Sequence, residues 1–172
     1  MIKIICFGKL KENYLVNAVN DYFERINKYH KISILELKDS ENIFDEEKEL
    51  LKIIQNDKSY KILLDINGEE VSSIEFSTLI NDKLTHFSSI TFIIGSSNGV
   101  SENIKNFVNQ RISFGKITMP HGLFRAVLLE QIYRSFKILN NEEIIYEDFY
   151  KIIDFIRNYA DNHHHKKEEK IL

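Results

Sequence analysis

With a single cysteine the chain cannot form an internal disulfide. Its fold must rest on a hydrophobic core, and a reducing compartment is the simplest setting. Cys6 lies in the apolar segment "IKIICFG", where a small buried strand residue is expected rather than a reactive thiol. No apolar run approaches the ~20 residues a membrane helix needs. The segment "MIKIICFGKLKE" lacks both the apolar length and the small-residue cleavage site of a secretion signal. A soluble, cytoplasmic protein with no membrane partner is expected. Standard catalytic signatures are also missing. Gly95 and Gly99 are four apart, which is not the spacing of a dinucleotide-binding G-x-G-x-x-G. Gly115 and Lys116 are followed by isoleucine, so they do not form a nucleotide phosphate loop. There is no His-Glu-x-x-His, no paired-cysteine metal site and no G-x-S-x-G elbow. Hydride transfer, nucleotide hydrolysis and zinc catalysis are therefore unsupported, and no metal site is expected.

What is present fits an ordinary globular domain. A length of 172 residues, 43% hydrophobic and 28% charged, can bury a real core without staples. Apolar, β-branched runs at 2–7, 32–37, 60–66, 89–95 and 111–119 alternate with helical patterns near 11–28, 44–56, 73–86, 101–110 and 120–139. Such alternation predicts an α/β domain with a mainly parallel sheet covered on both faces. Ser72 with Glu75 reads as a capping box, and Ser101 as the cap of the next helix. The net charge of −3 hides an uneven distribution. Residues 91–139 carry six basic and two acidic side chains, whereas 41–90 carry five and eleven. A phosphate-rich partner could dock on the basic stretch, although simple surface unevenness gives the same count.

The six glycines (8, 68, 95, 99, 115 and 122) read as strand ends or the turns after them. In open α/β sheets, ligands bind beyond the carboxyl ends of strands, where glycine lets backbone approach closely. Three such ends stand out: Leu64 before an Asn67-Gly68 turn, the 95–99 segment, and the loop from Phe114 to the only proline, Pro120. Proline suits the start of a helix, so a long helix is expected from 120. That helix is apolar on more faces than one sheet can cover, which predicts a second subunit against it. Glu130 and Arg134 are spaced to pair. His121 and Arg125 share one stripe beside the loop. A buried or capping histidine and a catalytic one are both open readings.

The segments "FGKLKENY", "FIIGSSNGVSENI" and "SFGKITMPHGLFRAVLLEQIYRSFKI" resemble the RlmH (YbeA-like) family of SPOUT-class methyltransferases. The resemblance runs in matching order from residue 1 to about 143. It implies an SPOUT-type α/β fold with a C-terminal trefoil knot, and a homodimer. It also implies S-adenosylmethionine as methyl donor and N3 of a pseudouridine in 23S rRNA of the assembled ribosome as acceptor. Carried over by position, cofactor contacts fall on Leu64, Gly95, Phe114, Gly115, Lys116, Ile117, Thr118 and Met119. His121 and Arg125 are the candidates for the catalytic group that handles the N3 proton.

Two departures from the family pattern are visible. The family usually has Gly-Gly where this chain has Gly95 and Ser96, a change that is tolerated if Ser96 takes the same backbone angles. The family's Tyr-His pair near the C-terminus is replaced, since Tyr146 is followed by Glu147. The expected organisation is thus a methyltransferase domain over 1–143 and an atypical extension over 144–172. Within that extension, 145–160 has the period of an amphipathic helix, and His163, His164 and His165 read as a solvated run rather than a metal site. The alternative function is a family member that binds cofactor or ribosome with reduced or lost turnover.

Overall fold

The computed structural model describes residues 1–142. The 144–172 extension, with its 145–160 helix and three histidines, lies outside the described residues. Five strands, β1 (Ile2–Phe7), β2 (Ile32–Leu37), β3 (Tyr60–Glu70), β4 (Ile90–Ile94) and β5 (Gln110–Ser113), form one sheet in the order β2-β1-β4-β3-β5. Every pairing is parallel. The helices are α1 (Asn13–Asn27), α2 (Ile43–Ile54), α3 (Ser73–His86), α4 (Glu102–Phe107) and α5 (His121–Leu139). β4 is "ITFII" and all five of its residues are buried, as a central strand covered on both faces requires.

The alternation of side chains divides the core in two. On one face Ile5, Leu63 and Ile93 pack with Leu50 and Ile54 of α2 and Ile104 of α4. On the other, Phe76 of α3 meets Phe92 at 5.7 Å between ring centroids, and α5 lies against both α1 and α3. The many apolar faces of α5 are therefore largely covered within the fold, by a sheet and two flanking helices. Glu130 and Arg134 pair as the spacing predicts, with Nε donating at 2.8 Å. Both predicted helix caps are present. Ser72 and Glu75 form a reciprocal box, and the Ser101 side chain accepts the Ile104 N–H. Cys6 is buried, and burial pushes its thiol up to about 11, so it stays protonated and inert at neutral pH.

Three features differ from the sequence reading. β5 stops at Ser113, so residues 114–119 are loop rather than strand. β3 does not end at Asn67 and Gly68 but continues to Glu70. Its register jumps, so that Leu64 and Glu69 both face Ile112, and residues 65–68 swing out of the ladder and return. Gly68 makes the return possible, because a Cβ there would sit 2.7 Å from the Ile112 backbone nitrogen. Gly122 is in neither a turn nor a strand end. It sits inside α5, where an added Cβ would touch Leu10 and Leu15 at 3.0 Å.

Candidate functional site

The three segments singled out in the sequence come together. A cleft of about 730 Å³ opens at the carboxyl ends of β4 and β5 and beside the break in β3 after Leu64. Its lining takes Leu64 with the 65–67 excursion, the 95–100 loop, and the loop from Phe114 onward to His121 and Phe124. This volume is in the range of small-molecule and cofactor sites. The walls are mainly apolar, with Ile94 and Ile112 at the back, while loop backbone supplies polar groups.

Local chemistry explains the shape of each wall. Ser113 accepts the Gly115 N–H at 3.1 Å and donates to the Gly115 carbonyl at 2.8 Å, so the chain turns sharply after β5. Gly115 has φ +124°, a conformation that side chains rarely adopt, and nothing lies within 4 Å of where its Cβ would be. Phe114 is held inward, its ring edge-on to Phe76 at 5.1 Å and beside Phe124 at 5.8 Å. Ile117, by contrast, is 78% exposed at the cleft mouth. At the second wall, a Cβ on Gly95 would stand 2.5 Å from Val100 Cγ2 and 3.0 Å from the Gly99 carbonyl. A side chain there would force Val100 or the following turn to shift, a turn that Gly99 N–H closes onto the Ser96 carbonyl at 3.0 Å. Ser96 itself keeps a negative φ, since Asn141 is the one non-glycine with positive φ among the described residues. At the third wall, Asp65 Oδ1 accepts the Asn67 N–H at 3.0 Å, and Oδ2 lies 3.5 Å from Arg111.

The structure sorts the candidate residues. Leu64, Gly95, Phe114, Gly115, Ile117, Thr118, Met119 and His121 line the cleft. Lys116 does not. Its ammonium donates to the Ile66 carbonyl at 2.9 Å and sits 3.4 Å from Glu70, bracing the loop against the β3 excursion. Arg125 is also outside the lining, which corrects its place beside His121 in the site. It is 1% exposed, ion-paired with Glu36, and donates to the Gly8 carbonyl at 3.0 Å. The guanidinium thus ties α5 to the ends of β1 and β2 rather than to a ligand. Lys105 and Phe124 line the cleft without having been singled out. Phe124 had a signal, being one turn beyond Pro120 in a helix whose start adjoins a ligand loop. Lys105 had none.

A cleft against a parallel α/β sheet, with apolar walls and bare backbone at Gly99 and Gly115 that leaves room for close approach, suits a small organic cofactor or ligand.

Residues 1–144 match the family model described as "Predicted SPOUT methyltransferase", and the chain belongs to the SPOUT methyltransferase family. Within it, several relatives bear the name "Ribosomal RNA large subunit methyltransferase H". The protein of that name from Malacoplasma penetrans is 44% identical over 150 residues, covering 81% of this chain and 96% of the relative. Those from Enterococcus faecalis and Fusobacterium nucleatum are 43% identical over 153 residues and 45% over 148. They cover 82% and 81% of this chain, and 96% of each relative.

Proposed function

We propose that this chain methylates large-subunit ribosomal RNA with S-adenosylmethionine, at N3 of a pseudouridine in the assembled ribosome. What supports the reading is the similarity of 81% of the chain to a relative bearing that name, together with a family match over residues 1–144, which include the segments that wall the cleft. Bound there, the cofactor would supply an electrophilic methyl on a sulfonium. The chain's own task is then alignment and exclusion of water. Leu64, Gly95 and the 114–119 loop would hold the cofactor, with Phe114 anchoring that loop to α3 and α5. N3 must lose its proton as the methyl arrives. We assign that proton to His121, which lines the cleft at the start of α5. Lys116 would act through loop shape. Among the described residues, no helix is long and apolar enough to cross a membrane.

The test is methyl transfer from labelled cofactor to ribosomes that lack the modification, with the product mapped by mass spectrometry. Label on N3 of a single large-subunit pseudouridine is the expected result. Cofactor binding without label on any RNA would favour a member that has lost turnover.

A homodimer and the trefoil knot belong to the same proposal. Leu123, Val127 and Ile138 are only half-buried along one stripe of α5, and Ile117 protrudes beside its start. The return from edge strand β5 to α5 is the segment such a knot would thread. Sedimentation should give a dimer at micromolar concentration, and a monomer there would refute the interface.

A further inference from the structure

A carboxylate as buried as that of Glu46, 3% exposed, calls for an explanation. Glu46 lies in the first turn of α2, where a negative charge suits the helix dipole. It does not line the cleft. Its Oε1 accepts the Ser40 N–H at 3.0 Å, and its Oε2 accepts the Ser96 hydroxyl at 2.6 Å. Ser96 Oγ accepts in turn from the Asn98 N–H at 3.1 Å, and Asn98 Nδ2 donates to the Ser40 carbonyl at 3.0 Å. These four bonds close a ring between the turn after β2 and the loop after β4. Ser96 and Asn98 are cleft-lining residues, whereas Glu46 and Ser40 are not.

We propose that Glu46, acting through Ser96, is a positioning residue that holds the 95–99 loop in its cofactor-receiving shape and couples it to the 38–42 turn. The proposal rests on the reading of this cleft as the methyl-donor site. Gly95 and Gly99 give the loop its tight path but also its freedom, and glycine-rich backbone loses more entropy on ordering than any other. A hydroxyl bonded to a buried carboxylate is a strong, charge-assisted contact, and here it fixes the loop before any ligand arrives. Asn98 ties the same loop tip to Ser40 at a second point. Ser96, which takes its place without positive φ, adds a tether that glycine at that position could not.

The experiment compares the wild-type protein with Ser96→Gly, Ser96→Thr and Glu46→Gln. Calorimetry with S-adenosylmethionine, steady-state methyl transfer, and hydrogen exchange with and without cofactor are the measurements. Ser96→Gly should weaken cofactor binding roughly ten-fold, the size expected for one charge-assisted bond. Its KM for the cofactor should rise while kcat stays within about two-fold and KM for ribosomes is unchanged. Ser96→Thr, which keeps the hydroxyl, should restore affinity. In the wild type, cofactor should slow exchange in both 95–99 and 38–42; in Ser96→Gly the second effect should vanish. Wild-type binding with Ser96→Gly and Glu46→Gln unchanged would overturn the positioning role and leave the cofactor site standing. A wild-type protein that does not bind the cofactor would overturn both. Should Glu46→Gln fail to fold by thermal melt, Ser96→Gly decides alone.

Discussion

Replacing Arg125 with alanine should destabilise the fold by ~3 kcal/mol, because it strands buried acceptors and opens a cavity at once. The guanidinium reaches the carbonyls of Phe7 and Gly8 at the end of β1 and the carboxylate of Glu36 on β2. The Glu36 side chain is 33% exposed, so water can take over part of its solvation, and the ion pair itself adds little to the total. The carbonyl oxygens and the packed volume have no such relief. A loss of that size should lower Tm by about 10 °C in a chain this long. Arg125→Met fills the space but leaves the carbonyls unpaired, and should recover only part of the loss. Urea denaturation of the three proteins checks this. If Arg125→Met were as stable as wild type yet inactive in methyl transfer, the arginine would belong to the chemistry after all.

Gly95→Trp should abolish S-adenosylmethionine binding, weakening it by about 100-fold or more, equivalent to ~3 kcal/mol. Even the first carbon of a side chain there would meet Val100 at 2.5 Å and the Gly99 carbonyl at 3.0 Å. The indole must then displace the 96–100 loop or fill the cleft, and either outcome removes the wall. Stability should change far less than affinity, because Gly95 lies just beyond β4 at a cleft edge rather than in the core. Gly95→Ala should fall between the two. Calorimetry on the variants, with thermal melts beside it, separates lost binding from lost fold.

The sequence announced most of the scaffold through local signals. β-branched runs alternating with amphipathic periods marked a parallel sheet, and serine with glutamate three residues on marked the start of α3. Gly95 and Gly115 marked the ends of β4 and β5 that wall the cleft, whereas Gly68 marked the return of β3 against β5. What stayed hidden depends on partners distant in the chain. Asn67 and Gly68 look like the end of a strand, and nothing local says that β3 re-enters the ladder against β5. Arg125 beside His121 looks like a pair at a site. Only the packing of α5 over the ends of β1 and β2 shows that the arginine faces inward, with Glu36 89 residues away. In sequence, Glu46 is one acid among several in α2. Its role appears once the turn after β2 and the loop after β4 are seen on either side of it.

A crystal structure of the protein with S-adenosylmethionine is the most direct test. The cofactor should lie in the cleft beside the break in β3 and the ends of β4 and β5, touching Leu64, the 95–99 loop and the 114–119 loop, with its methyl group turned toward open space near His121. Cofactor bound anywhere else, or a cleft that stays empty at saturating cofactor, would contradict that placement.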